Sequence, residues 1–183
     1  MKALLGVLLA WTSLACSAST LDDAGGPSET TGFEPGDAWV RPGHGKEAFH
    51  PIEAGDDYPI TLGGQGAYMF TLPLQAGGFS LPGPSVKYDD PSYPTIDVSV
   101  DIEGWGGVLD VNGHFSSVRD YPVTFRVLDD GTYEYVRVSL LLPDDLLVFD
   151  DILGDSLTLR YSLRCGDGQV VEDELPLFVS LSD

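Results

Sequence analysis

Basic residues are scarce in this chain. It contains nine Lys and Arg residues beside 29 Asp and Glu, which gives a formal net charge of -20 at pH 7. Such a charge repels nucleic-acid phosphates and anionic lipid headgroups, because binding to either relies on a basic surface. The composition therefore argues against a nucleic-acid partner and leaves cationic partners and divalent metal ions open. It is also typical of a soluble protein whose molecules repel one another.

Histidine is also rare, and its placement lacks the spacing of a metal site. His44, His50 and His114 contain none of the i, i+2 or i, i+4 pairs that bring two imidazoles to one metal. A zinc or copper centre needs three or four converging ligands, so we expect these residues at the surface or at strand edges. No nucleophile-elbow motif singles out a serine, and the sequence predicts no catalytic residue.

Long hydrophobic runs are missing as well. The apolar run Ala3 to Trp11 is too short to cross a membrane, which takes about 20 apolar residues. It follows Lys2 and precedes four residues that end in Ala15, directly before Cys16. A charged start, an apolar stretch and a small-residue cleavage site predict, in this order, a secretory signal peptide over residues 1–15.

The end of this signal resembles the lipobox of bacterial lipoproteins at Leu14, Ala15 and Cys16, although Ser13 occupies the position where that family usually has leucine. The resemblance implies that the thiol of Cys16 takes a diacylglyceryl group and becomes the first mature residue. It also implies transport to the outer membrane, because Ser17 replaces the aspartate that usually accompanies inner-membrane retention. Two or more acyl chains would anchor the protein stably.

The region after the signal has the composition of a spacer. Residues 16–45 are rich in Ser, Thr, Gly, Pro, Ala and Asp, so they cannot bury enough surface to offset their ordering entropy. We expect a disordered tether that spans on the order of 30 Å. Two alternatives stay open: plain secretion with cleavage after Ala15 or Ala18, and an edge strand at Trp39 and Val40.

Apolar and polar residues alternate along much of residues 46–183, the expected folded domain. The clearest run is residues 96–102, in which apolar side chains alternate with Asp97, Ser99 and Asp101. The same period recurs over residues 157–165. Further strands are predicted at residues 49–52, 58–62, 65–72, 108–115, 123–127, 136–142 and 170–179. Short strands separated by Gly and Asp turns, without a long helical stretch, predict an all-β, antiparallel β-sandwich of about eight strands.

One further stretch resembles uncharacterised exported lipoproteins of Gram-negative bacteria. It comprises Phe49 to Asp56, an acidic Gly turn after a short strand, and Ile60 to Gly66, which ends in a Gly, Gln, Gly step. In those proteins this pattern opens an immunoglobulin-like domain. The resemblance implies the same kind of sandwich here, covers about a fifth of the chain and implies no activity.

Cys165 lies at an apolar position of its predicted strand. It is therefore expected to be a buried and inert thiol rather than a nucleophile. If Cys16 is acylated, Cys165 has no partner within the chain; if Cys16 stays unmodified, a disulfide between the tether and this strand remains open.

The densest carboxylate cluster is a candidate calcium site. Calcium takes six to eight oxygen ligands, and exported modules bind it weakly. The spacing matches no known calcium loop, and four apolar residues interrupt it, so a solvated turn is the competing interpretation. The five residues are Asp144, Asp145, Asp150, Asp151 and Asp155.

Several aromatic residues raise the alternative of a sugar or peptide surface. Tyr133 and Tyr135 share a strand face opposite Val136 and Val138, which would place both rings on the outer surface. The favoured interpretation is that loops or a second sheet cover these rings, because aromatic residues commonly fill sheets. The remaining candidates are Tyr88, Tyr93 and Trp105.

Taken together, the sequence favours a non-enzymatic binding or structural module of the cell envelope. We expect it to be attached to the membrane through a lipid anchor, with an envelope protein or a polysaccharide as its partner and without a cofactor. A calcium-binding adhesion module and an envelope hydrolase with an unrecognised site are the two alternatives. The fold class does not distinguish among these functions, because β-sandwiches carry many different functions.

Overall fold

The computed structural model describes residues 36–45, 49–64, 66–83, 86–106, 108, 112–142 and 149–182. The predicted signal peptide, the lipidation site Cys16 and most of the predicted tether lie outside these residues. The described part is all-β, as predicted. Its strands are β1 (Trp39–His44), β2 (His50–Pro51), β3 (Asp57–Leu62), β4 (Tyr68–Gly77), β5 (Thr95–Ile102), β6 (Ser116–Pro122), β7 (Arg126–Val127), β8 (Tyr133–Leu141), β9 (Ser156–Arg164) and β10 (Val170–Leu181), with one 3-10 turn at Phe149–Asp151.

The strands form one curled sheet. Strands β4 and β10 change partners along their length, so they link the other strands into this sheet. The order is β2-β1-β4-β3-β10-β9-β5-β6, and β8 pairs with β4 and β7. Strand β4 pairs through residues 68–70 with β3 and through residues 74–77 with β1, while β8 runs along its opposite edge. Strand β10 pairs with β9 and then, over residues 178–181, with β3.

The pairing of β10 with β3 is parallel, whereas every other described strand pair is antiparallel. The far ends of the sheet approach each other where the hydroxyl of Ser116 on β6 donates a 2.5 Å hydrogen bond to the carbonyl oxygen of Leu141 on β8. The result is an all-β, sandwich-like fold whose inner face is closed off from solvent.

The alternation predicted for β5 and β9 is confirmed by burial. Ile96, Val98, Val100 and Ile102 face the core, as do the apolar positions of β9, while the residues between them are on the outer face. Both faces of β4 are mostly buried. The largest fully buried side chains are Tyr58, Phe70, Phe79, Phe115, Ile60, Leu72, Leu74, Ile96, Leu140, Ile152, Leu157 and Leu159.

A bulge in β8 decides which of its residues are covered. Leu72 pairs with Val138, but Leu74 pairs with Tyr135, so β8 carries one extra residue. The extra residue reverses the parity of the strand on one side of the bulge. Tyr133 is therefore buried and Tyr135 half-buried, in agreement with the favoured interpretation that these rings are covered, whereas Val136, predicted to lie in the core, is 72% exposed.

Two strand boundaries also differ from the prediction. No strand covers the described residues of the range 108–115; the strand β6 begins at Ser116, directly after this range. Strand β1 lies within the range assigned to the tether, which matches the alternative of a strand at Trp39 and Val40. The polar composition of this stretch gives no sign of a strand, and the strand is held by its main-chain pairing with β4.

Candidate binding groove

An open groove of about 700 Å³ crosses the outer face of β6, β5, β9 and β10. Its floor consists of the polar positions that alternate with the core residues of these strands. The charged, imidazole and hydroxyl-bearing residues that line it are Asp97, Ser99, His114, Ser117, Arg119, Asp120, Arg160, Tyr161, Ser162, Arg164, Glu172, Asp173 and Glu174.

The strand register places these side chains in rows across the sheet. Ser117 on β6 is opposite Ser99 on β5, which is opposite Arg160 on β9, and Arg160 is opposite Glu174 on β10. Residues directly opposite one another have their Cβ atoms within about 5.5 Å, so each row brings its polar groups into contact. The groove is thus a direct product of β-strand alternation combined with register.

Arg160 holds two acidic strands together. Its Nη1 lies 2.6 Å from Oδ2 of Asp101 on β5, and its Nε lies 2.7 Å from Oε2 of Glu174 on β10. These side chains are roughly a third to a half exposed, so each ion pair contributes about 0 to 1 kcal/mol to stability. Their main effect is to fix the direction of the guanidinium in the groove.

Asp101 also contacts His114. The Nδ1 atom of the imidazole lies 3.0 Å from Oδ2 of Asp101, and the backbone N–H of Phe115 donates a 3.3 Å hydrogen bond to Oδ1. His114 lies in the turn before β6, and not in a strand over residues 108–115 as the alternation predicts. The carboxylate of Asp101 therefore joins a cation from β9 to an imidazole from the β5–β6 connection.

A second bulge shapes the far part of the groove. Ile96 pairs with Tyr121, but Val98 pairs with Val118, so β6 has an extra residue in this stretch. Asp120 lies within it with a φ of 47°, in the left-handed region. Its carboxylate lies 3.4 Å from Nη1 of Arg164, which adds a second cation to this end of the groove.

The other candidate residues from the sequence lie away from the groove. His44 and His50 are brought together across β1 and β2, with ring centroids 5.4 Å apart, despite their separation in the sequence. Within the described residues, no group of three His, Cys, Asp or Glu side chains is arranged to hold a metal ion.

Cys165 is buried, as predicted, and it is a free thiol. Burial raises its pKa to about 12, with a further contribution from the negative charge of Asp167. A thiol with a raised pKa is rarely ionised near neutrality, so this residue is poorly suited to act as a nucleophile.

The calcium candidates are only partly described. Asp144 and Asp145 lie outside the described residues, while Asp150 and Asp151 are exposed in the 3-10 turn. Asp155 accepts a 2.9 Å hydrogen bond from the indole Nε1 of Trp105. This contact gives Asp155 a structural role in fixing the Trp105 ring, and it leaves the calcium hypothesis untested.

The aromatic candidates form a cluster beside the buried rings of Phe79 and Phe125. The hydroxyls of Tyr121 and Tyr135 lie 3.1 Å apart, and Tyr88 packs edge-on against Tyr93 with centroids 5.1 Å apart. Burial, followed by the hydroxyl contact with Tyr121, raises the pKa of Tyr135. Of these rings, Tyr88 is the most exposed, so most of the cluster is covered rather than presented as a flat platform.

The chain matches no protein-family model, no curated protein and no solved structure. No helix in the described part is long and apolar enough to cross a membrane. The fold class is that of an all-β, sandwich-like protein, and its most developed surface feature is the charged groove.

The sequence contains one pattern that indicates this groove, namely opposite charges at the outward positions of two alternating strands. Arg160 and Arg164 are two of only nine basic residues, and both occupy outward positions of a strand with clear alternation. Asp97 and Asp101 occupy the same positions of another such strand. Opposite charges at matching intervals indicate neighbouring strands, but the sequence alone does not give the order of strands that makes them neighbours.

Proposed function

We propose that this protein is an exported, lipid-anchored module of the bacterial cell envelope that binds a partner non-enzymatically through the charged groove. The anchor is assigned to Cys16, the outer membrane is the favoured location, and the sandwich-like domain is of the immunoglobulin-like kind. The lipobox-like end of the signal supports the address. The groove on the rigid face of four paired strands supports the binding role.

The observation that carries the proposal is the mixture of cations and carboxylates at fixed positions in the groove. Three of the nine basic residues, Arg119, Arg160 and Arg164, line one face of a chain whose net charge is -20. Carboxylates flank two of them, so the groove offers donors and acceptors at fixed positions. Such an arrangement suits a polar partner segment that carries both kinds of group, because complementary charges set register and exclude wrong partners.

A matched pair of double variants tests the groove. The full chain, tagged and immobilised, is incubated with a solubilised envelope fraction, and retained components are quantified by mass spectrometry. We expect wild type to enrich a defined component, R160A/R164A to lose most of it, and R126A/R137A to keep it. The control removes the same charge from β7 and β8, outside the lining of the groove.

Two results would count against the groove. One is the absence of any enriched component at several salt concentrations. The other is equal retention by the two double variants, which would place binding elsewhere.

Mass measurement tests the anchor separately. The mature wild-type protein is expected to begin at Cys16 and to carry the added mass of a diacylglyceryl group, whereas Cys16→Ser is expected to lack it. An unmodified mature wild-type chain, cleaved after Ala15 or Ala18, would show that the protein is secreted without an anchor.

One observation favours the hydrolase alternative. A carboxylate that contacts Nδ1 of an imidazole is the arrangement that orients a catalytic histidine, and Asp101 and His114 have it in a groove that also contains Ser99 and Ser117. Hydrolysis of fluorogenic esters and peptides by wild type, abolished in His114→Ala, would support this activity. Equal background rates for both proteins would reject it.

The calcium-binding alternative rests on sequence alone. Calcium at a concentration well above its dissociation constant stabilises a folded protein that binds it. A melting temperature that is higher in about 10 mM calcium than in chelator would therefore support this alternative. Superimposable melting curves would remove it.

A further inference from the structure

A second cleft, of about 450 Å³, opens between β1 and β10. The two strands pair with other strands, β1 with β4 and β10 with β9, and no pairing joins them to each other in the described part of the chain. The backbone N–H of Ala38, just before β1, donates a 3.1 Å hydrogen bond to Oε1 of Gln169, just before β10. This contact joins the walls where the two strands begin, and the cleft separates them farther along.

Trp39 forms one side of the cleft and is held in place by a glycine. It lies directly opposite Gly77 on β4, and a Cβ atom at Gly77 would come within 2.8 Å of Nε1 and 2.9 Å of Cε2 of the indole. The ring therefore packs against the bare backbone of Gly77, in space that any other residue would fill. The Trp39 side chain nevertheless remains 37% exposed.

The rest of the cleft supplies hydrogen-bonding groups of both kinds. Asp173 and Glu53 offer carboxylate oxygens, and Arg41 offers guanidinium donors. Burial, followed by the negative charge of the nearby Asp173 carboxylate, raises the pKa of Tyr161 to about 12. Tyr161 therefore adds a neutral hydroxyl to the cleft wall beside Asp173.

We infer that this cleft binds an uncharged saccharide, with a sugar ring stacked on Trp39 and its hydroxyls bonded to Asp173, Glu53 and Arg41. The C–H face of a pyranose is apolar and matches an exposed indole, while its hydroxyls both donate and accept. The net charge of -20 disfavours an anionic sugar, and Arg41 partly offsets the attraction that the carboxylates of Glu53 and Asp173 would exert on a cation beside the indole. The volume of the cleft lies in the range of small-ligand sites.

This site shares only Tyr161 and Asp173 with the groove, and it does not depend on the function proposed for the groove. Trp39 and Arg41 do not line the groove, and Arg160 and Arg164 do not line the cleft. The variant R160A/R164A is therefore expected to retain saccharide binding. Loss of one kind of binding without the other distinguishes failure of either assignment.

Titration of the full chain with cellohexaose, maltohexaose and chitohexaose tests the inference by tryptophan fluorescence and calorimetry. We expect at least one of them to bind with a Kd on the order of 1 mM or tighter. Trp39→Ala is expected to weaken binding at least about tenfold, as the loss of about 1.4 kcal/mol would. Gly77→Ala should weaken it as well, because the new methyl group displaces the indole without removing it.

Tyr88→Ala is the matched control, since it removes an exposed aromatic ring that does not line the cleft. Glu53→Gln provides a second test, through an exposed residue that lines the cleft and not the groove, if the Trp39 and Gly77 variants do not fold. The inference is overturned if none of the three oligosaccharides binds at about 10 mM, or if Trp39→Ala and Glu53→Gln both bind like wild type. Binding of a lysine-rich peptide instead, with the same dependence on Trp39, would also overturn it.

Discussion

The backbone N–H of Asp120 donates a 2.6 Å hydrogen bond to Oδ1 of Asp97 on the neighbouring strand. This bond satisfies a donor that the bulge in β6 leaves outside the regular ladder. Asp120 has a φ of 47°, which L-residues other than Asn and Asp adopt at a cost of about 1 to 2 kcal/mol. The carboxylate of Asp97 thus stabilises the backbone conformation of Asp120, which shapes one end of the groove.

We predict that two substitutions at Asp120 differ in their effect on stability. Asp120→Val is expected to lower the free energy of unfolding by about 1 to 2 kcal/mol, because a β-branched residue is strained at positive φ. Asp120→Gly is expected to leave it nearly unchanged, since glycine accepts this conformation and the ion pair with Arg164 is exposed and long. Urea denaturation measures both. Equal losses would show that the side chain of Asp120, rather than its backbone, matters.

The hydroxyl of Tyr58 is the basis of the second prediction. It is fully buried and has no hydrogen-bond partner among the described residues, and burial raises the pKa of this phenol. An unsatisfied buried hydroxyl costs about 1 to 3 kcal/mol, so Tyr58→Phe is expected to raise the free energy of unfolding by about 1 kcal/mol. Tyr133→Phe should lower it by a similar amount, because its hydroxyl donates a 2.6 Å bond to the carbonyl of Phe79.

Urea denaturation of the two Tyr→Phe variants side by side separates lost hydrogen bonds from lost packing. The two changes remove the same atom from a tyrosine. A loss of stability in both variants would mean that the Tyr58 hydroxyl has a bonding partner.

Stability is predicted to fall at alkaline pH. Burial raises the pKa of both Cys165 and Tyr161 to about 12, whereas the same groups in an unfolded chain titrate near about 8.5 and 10. Below about pH 8 both states keep these protons and stability is unaffected. Between about pH 9 and 12 the unfolded chain releases protons that the folded chain retains, so the free energy of unfolding decreases as pH rises.

Urea midpoints at about pH 7, 9 and 10.5 measure this dependence. Cys165→Ala should flatten the first part of the decline, and Tyr161→Phe should flatten the part above about pH 10. A wild-type midpoint that stays constant to about pH 10.5 would contradict the burial of these groups.

Gly166 is predicted to tolerate no side chain. A Cβ atom there would overlap the carbonyl oxygen of Ser92, so Gly166→Ala is expected to cost about 1 to 3 kcal/mol through forced backbone movement. Gly64→Ala is the control, because no atom lies within 4 Å of the position its Cβ would take. Thermal melting that ranks the two variants equally would show that the turn at Gly166 moves away from Ser92 without cost.

The strands that the sequence predicted most accurately are those with one wet face and no irregularity. Residues 96–102 and 157–165 alternate cleanly, and β5 and β9 follow them within one residue. In β8 the same rule placed Val136 inside, because a bulge adds a residue without leaving a mark such as glycine in the sequence. Alternation therefore fails to predict burial wherever a bulge shifts the register between two paired strands.

The candidate sites were less accessible to sequence reasoning than the strands. The contact between His114 and Asp101 depends on a turn whose residues had been assigned to a strand. The support of Trp39 by Gly77 depends on a β1–β4 pairing, and no local pattern specifies which strand comes beside which. Both sites depend on pairings between residues far apart in the chain.

The order of strands has a consequence for how the chain reaches its native state. Strand β3, made of Asp57–Leu62, acquires its parallel neighbour only from residues 178–181, more than a hundred positions later. Closing so large a loop is slow and costs entropy before any contact compensates for it. The edge of β3 that β10 covers therefore stays unpaired until residues 178–181 are available, although β4 can pair with the other edge earlier, so completion of the sheet is expected to be a late step in folding.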